Sequence, residues 1–397
     1  MIVNTLIFVL SFVVVLSLIV FIHELGHYGV GKFFNTRVDR FSVGFGKPIF
    51  KRTLSSGEEW VVGRWPLGGY VMFTGDRNAR SQNEKDAVEA LSRSPDAPYL
   101  FQFKPLYQRA LIVAAGPIAN FLLAIVLFAG LAGFWGDNIT RTRVAEVMSG
   151  SAAEAAGIQV EDSIIRIDDR EISRMGDVQS YVAIRAGEPM ELLVERAGRE
   201  VTIPITPRRV VREDGIGGQA ALGTLGVLMT EELVEHVDYG PLQSLARGTE
   251  RLGETISMTG TYVGRIFLGK EDGKALGGVL RIFAMTGKVA VDSSAAEVRV
   301  SEERTVTRTA GQRTQSLLFS MMTLMAVLSV GLGLANLVPI PALDGGHLLY
   351  YAYEAVAGRP LSLEAQAMGY RLGVVLLIGI FVYLTFNDIG YIRSLTS

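Results

Sequence analysis

The sequence predicts an α-helical polytopic membrane protein with four transmembrane helices and a folded α+β insert between the second and third. Three observations carry this. Of the 397 residues, 49% are hydrophobic, and the mean hydropathy is positive. Four apolar segments stand out, at about Ile2–Ile22, Ala110–Phe134, Leu317–Val338 and Leu372–Phe386. The first three approach or exceed the roughly 20 apolar residues that cross a bilayer, and the fourth is shorter. Between the second and third, the chain changes to short strand-like runs separated by glycine turns, a pattern of folded polar domains rather than spans.

The first span, within residues 1–30, is preceded by no basic residue, since Met1-Ile2-Val3-Asn4-Thr5 carries none. It therefore reads as an uncleaved anchor rather than a signal peptide. Lys32, Arg37 and Arg40 follow it, and Lys104 and Arg109 precede the second span at residues 110–135. The positive-inside rule then makes residues 31–109 a cytoplasmic loop and puts both termini outside. That loop contains Val43-Gly44-Phe45-Gly46 and Trp65-Pro66-Leu67-Gly68-Gly69-Tyr70-Val71-Met72, which read as a β-hairpin. Asp76 to Pro98 is polar and reads as a mobile loop.

The external segment begins with residues 140–208. Strand-like runs at Val144–Val147, Ser163–Ile167, Met190–Val194 and Val201–Ile203 surround a short helix, Ser151–Ile158, that ends at Gly157. The pattern resembles a bacterial PDZ domain, which implies peptide binding by addition of a strand to a sheet edge. Residues 209–313 are predicted to hold an amphipathic helix over Leu242–Leu268 and a charged linker over Asp292–Arg313. The third span, at residues 314–348, ends in an Asp-Gly motif, and residues 349–397 form the fourth span and tail.

Net charge of −2 offers no footprint for nucleic acid. The absence of Cys excludes disulfides, thiolate ligands and cysteine nucleophiles. The chemistry is concentrated elsewhere. His23-Glu24-Leu25-Gly26-His27 closes the first span in a chain with only 4 His. On a helix, HExxH puts both imidazoles on one face, one turn apart, where they can share a metal. Glu24 beside them can take a proton from water. Gly26 costs helix stability and points to close backbone packing or room for substrate.

Two His leave a catalytic zinc site one protein ligand short. The third span runs outside to inside, so its C-terminal end reaches the side where HELGH lies. There the chain reads Asn336-Leu337-Val338-Pro339-Ile340-Pro341-Ala342-Leu343-Asp344-Gly345-Gly346-His347. Prolines break the helix and glycines permit an irregular turn. Asp344 is the expected third ligand, with His347 and then Glu354 as alternatives. Asn336 is placed to hydrogen-bond to substrate backbone or to a neighbouring span.

HELGH joined to NLVPIPALDGGH resembles the site-2 protease family of intramembrane metalloproteases, and its bacterial RseP-like branch with a PDZ domain. Gly44-Phe45-Gly46, Pro66-Leu67-Gly68-Gly69-Tyr70-Val71 and Gly116-Pro117-Ile118-Ala119-Asn120 match as well. The resemblance implies a Zn²⁺ ion on His23, His27 and Asp344, with Glu24 as general base. It implies substrate handling by Asn336 and Pro339, and by a membrane-associated β-hairpin around Gly68 and Gly69. It also implies hydrolysis of peptide bonds in or near the transmembrane segments of single-span proteins such as anti-sigma factors. The location implied is a bacterial inner membrane, with the PDZ-like domain periplasmic and the active site toward the cytoplasm. Well-known members carry two PDZ domains; here one is visible. A non-catalytic PDZ scaffold and a metal transporter are the competing classes.

Overall fold

The computed structural model describes residues 2–74, 92–213, 219–269, 277–299 and 305–396. Two compact units divide the chain. One comprises Met1–Ala129, Leu245–Thr259 and Gly278–Phe386; the other comprises Gly130–Ser244, Gly260–Gly277 and Asn387–Ser397.

The first unit is built on helices long and apolar enough to cross a membrane. They are α1 (Ile2–Phe33), α2 (Leu106–Trp135), α7 (Ala310–Leu337) and α9 (Leu363–Thr396). In α1 the buried positions Phe12, Val15, Ile19 and His23 recur every three or four residues. The helical period that makes an inward apolar stripe therefore delivers His23 to the same face. α2 behaves likewise, with Ile112, Ala115, Asn120, Ala124, Phe128 and Leu131 all buried. α9 shows mostly exposed apolar side chains, including Leu372, Val375, Ile378 and Phe386. It is also much longer than its apolar segment, because hydropathy registers only the stretch suited to lipid.

Between α1 and α2, β1 (Val38–Thr53) pairs antiparallel with β2 (Glu59–Phe73). Both strands bend, so each is used twice. Phe41 faces Val71 on one side and Trp60 on the other, while Phe50 faces Val62. The result is a four-segment sheet, with residues 69–73 at one edge and 48–53 at the other. Gly44 and Gly46, at φ of +85° and +91°, make the bend in β1. The sheet is held on α1 by Phe41, whose ring lies 5.7 Å from Phe21 and 5.6 Å from Tyr28. Buried Glu58 accepts from Tyr28 at 2.9 Å and pairs with Lys32.

α6 (Val279–Ser294), which no sequence pattern announced, packs on α1 through Phe283, 5.4 Å from Phe12. The predicted linker over Asp292–Arg313 is also shorter than expected. α6 continues to Ser294, and β11 (Glu297–Arg299) pairs with β12 (Thr305–Thr307) before α7 begins at Ala310. The third span itself stops at Leu337, and a separate helix, α8 (Asp344–Ala357), follows the proline turn. The polar stretch Asp76–Pro98 lies for the most part outside the described residues.

The second unit holds a sheet in the order β10-β3-β4-β6-β7, with β5 (Arg170–Glu171) on β4. The strands are β3 (Asp137–Val147), β4 (Ser163–Ile167), β6 (Met190–Arg196), β7 (Arg199–Ile205) and β10 (Val227–Val237). Val144, Ile164, Ile167, Leu192 and Val194 form its core with Val178 and Val182 of α4 (Met175–Ala183). α3 (Ala152–Ala156) is set by its caps. Ser151 Oγ accepts from the Glu154 amide at 3.1 Å, and Gly157 closes the helix at φ +79°. β8 (Arg208–Glu213) and β9 (Gln219–Thr224) make a separate pair. β10 shows that the sheet extends beyond residue 208. Its alternation is broken by Glu231, Glu232 and Glu235, which conceals a strand that β3 requires as a partner. α5 (Pro241–Phe267) follows.

One ion pair locks this core. Arg196 donates to both carboxylate oxygens of fully buried Asp162, at 2.7 and 2.6 Å, and the Gln159 amide donates at 2.8 Å. Burial pushes the Asp162 carboxyl up, but these donors outweigh it and hold it below the usual carboxylate range. A depressed folded-state value means stability present above the unfolded value and lost as pH falls through the folded one. Asp162→Asn is expected to weaken this unit by about 2 kcal/mol at neutral pH. Hydrogen exchange at β4 and β6 amides checks this, and the gap between wild type and variant should close only in strong acid.

Candidate metal centre

α1 brings His23 and His27 one turn apart, with ring centroids separated by 4.8 Å and planes at 84°. Their Nε2 atoms are 3.2 Å apart. Asp344 arrives from α8 with Oδ2 3.3 Å from His23 Nε2 and 3.5 Å from His27 Nε2. The three potential ligand atoms lie within 4.8 Å of one another, the single such group among the described residues. Two features make this arrangement fit a cation. Asp344 Oδ2 is buried and has no hydrogen-bond partner. Two imidazole nitrogens and one carboxylate oxygen are also a donor set for catalytic zinc, leaving a fourth position open.

Asp344 is the first residue of α8, and Leu343 before it is extended with no side-chain cap bond. A carboxylate there is favoured by the helix dipole, and its Oδ2 is not consumed by capping. Gly345 and Gly346 allow the turn, since a Cβ on either would collide with backbone atoms of Leu337, Val338, Ile340 or Pro341. His347 is exposed and stacks edge-on near Tyr350 at 6.3 Å, outside the group. Glu354 pairs instead with Arg109 at 2.6 Å, tying α8 to the start of α2. Asn336 stands in the last turn of α7, and Pro339 in the turn that follows.

α2 supplies the walls. His27 Nδ1 lies 2.9 Å from the Ile112 carbonyl oxygen, a fixed acceptor that holds the proton on Nδ1 and leaves Nε2 for a ligand bond. Gly116 faces both rings; a Cβ there would stand 2.6 Å from His27 Cε1 and 2.8 Å from His23 Cε1. Gly26 serves the same approach from α1, because its Cβ would strike the Ala115 backbone. Glu24 is buried beside the imidazoles, and β2 crosses directly over it. A Cβ on Gly69 would lie 2.8 Å from Glu24 Cγ and 2.7 Å from the Ser42 carbonyl oxygen. Gly68, at φ +96°, turns the strand against the Phe45 ring. Sequence reasoning assigned no role to Gly116 or the Ile112 carbonyl. Gly116 stood only within the Gly116-Pro117-Ile118-Ala119-Asn120 piece that matches the family, with no role attached.

The sequence profile of peptidase family M50 matches residues 11–380. The chain is 40% identical over 392 residues to Metalloprotease MmpA of Caulobacter vibrioides, covering 97% of this chain and 96% of the relative. Relatives in Agrobacterium fabrum and Mesorhizobium japonicum, named as zinc metalloproteases, share 38% and 36% identity. The first match covers 96% of both chains; the second covers 95% of this chain and 97% of the relative. The protein therefore belongs to peptidase family M50, the zinc metalloproteases of the site-2 type, with helices long and apolar enough to cross a membrane as the frame of its site.

Proposed function

We propose that this zinc metalloprotease is RseP-like. On this reading it cuts single-span membrane proteins in or near their transmembrane segments, as in regulated cleavage of anti-sigma factors. The observation that carries the proposal is the convergence of His23, Glu24 and His27 from α1 with Asp344 from α8 inside the packed membrane helices. Zinc held by His23, His27 and Asp344 would supply Lewis acidity, polarising a peptide carbonyl and making water more acidic.

The remaining work belongs to the chain's own groups. Glu24 takes a proton from the attacking water at its carboxylate. The water oxygen bonds to the carbonyl carbon, the C–N bond breaks, and Glu24 passes the proton to the leaving amine. A helical substrate hides its carbonyls in hydrogen bonds, so it must be extended before attack. Residues 69–73 form an edge of the β1–β2 sheet and lie over Glu24, which suits them to receive a substrate segment as an added strand. Gly68 and Gly69 shape that edge, and Asn336 and Pro339 are assigned to hold the substrate backbone on the other side.

The unit built on β3, β4, β6, β7 and β10 is assigned as a PDZ-like domain that screens the external part of a substrate. β10 is one edge of its sheet and β7 the other. Lys32, Arg37, Arg40, Lys104 and Arg109 support, by the positive-inside rule, a cytoplasmic β1–β2 side. The PDZ-like unit and both termini are then periplasmic, in a bacterial inner membrane.

Cleavage of a single-span substrate by purified protein in detergent tests this reading. Glu24→Gln should lower the rate by about 10²–10⁴-fold while zinc content stays unchanged. Loss of zinc from that variant would make Glu24 structural and overturn its assignment. Chelation should abolish cleavage and added Zn²⁺ restore it. Gly69→Ala displaces Glu24 and should reduce kcat on the order of 10²-fold with zinc retained; single-turnover kinetics would measure it.

A further inference from the structure

Gly116-Pro117-Ile118-Ala119-Asn120 contains a group with no part in the chemistry above. Asn120 is fully buried in α2, and an amide inside an apolar span is costly unless its hydrogen bonds are used. Its side chain reaches the metal centre: Nδ2 lies 3.2 Å from His23 Nδ1. Its Oδ1 is buried without a partner. Its backbone is pinned, since Ser329 of α7 donates to the Asn120 carbonyl at 2.8 Å, with both residues fully buried.

His27 and His23 differ in what stands behind them. His27 has a backbone carbonyl at Nδ1, and a carbonyl can only accept. His23 has only the Asn120 amide there among its hydrogen-bond contacts. To ligate through Nε2, neutral His23 must carry its proton on Nδ1, and that N–H then needs an acceptor. The amide offers one: oxygen and nitrogen are nearly interchangeable in shape, so a half-turn about the last side-chain bond presents Oδ1 to Nδ1. The same half-turn gives the orphaned oxygen a donor.

We infer that Asn120 is a positioning residue for the metal centre, its Oδ1 accepting from His23 Nδ1–H and so fixing the tautomer that frees Nε2 for zinc. This rests on the metal-site reading of His23, His27 and Asp344. Groups behind metal-bound imidazoles are worth about 10–100-fold in metal affinity.

The test is zinc affinity of the full-length protein in detergent, by chelator competition, which needs no turnover. Asn120→Ala should weaken zinc binding about 10–100-fold. Asn120→Asp, which keeps an acceptor at the same place, should bind as tightly as wild type or tighter. Ser329→Ala loosens the same helix contact without touching the amide and should leave affinity unchanged. Should Asn120→Ala fail to fold, Asn120→Leu, with the same number and branching of side-chain heavy atoms, takes its place. Wild-type affinity in the apolar variant, or equal loss in Asn120→Ala and Asn120→Asp, overturns the assignment of Asn120. Wild-type affinity in His27→Ala would instead overturn the metal site itself, so the two failures are distinguishable.

Discussion

A carboxylate and two imidazoles packed against one another among long apolar helices are the constraint on which the first unit depends. Asp344 Oδ2 has no hydrogen bond of its own, and it sits within 3.5 Å of both His Nε2 atoms. Such a group is expensive to bury unless a cation completes it. The expense explains why every element around it is arranged to hold it still. α8 starts at Asp344, and the Arg109–Glu354 pair fixes the far part of α8 to α2.

Close approach is the second requirement, and glycines meet it at chosen points. α2 passes the imidazoles at Gly116, α1 passes α2 at Gly26, and β2 passes Glu24 at Gly69. A single added carbon would strike the His23 and His27 rings at Gly116, the Ala115 backbone at Gly26 and the Glu24 side chain at Gly69. The site is therefore a product of helix spacing as much as of its polar side chains. The β1–β2 sheet belongs to it because residue 69 lies against the Glu24 side chain.

Much of this was legible in the sequence, for physical reasons that differ by element. The pairing of His23 with His27 follows from the helical period alone, and the long apolar runs follow from the thickness of a bilayer. Asp344 was legible through its glycine and proline neighbours, which mark a broken helix where a side chain can turn inward. What lies behind the two imidazoles was not legible. The Ile112 carbonyl and the Asn120 amide reach His27 and His23 from a different helix, and nothing local in either segment announces that contact. α6 was hidden because its polar residues interrupt the apolar pattern, and β10 because its glutamates do. The long doubled strands β1 and β2 were hidden because a strand that bends and pairs on both sides shows no simple alternation.

Zinc X-ray absorption on the purified full-length protein tests the central claim most directly. One zinc site is expected, whose protein ligands include two imidazoles, with nitrogen at about 2.0–2.1 Å and the remaining light ligands oxygen. Two imidazoles should fall to one in His27→Ala. Three imidazoles, or a zinc spectrum unchanged in that variant, would contradict the assignment of His23, His27 and Asp344.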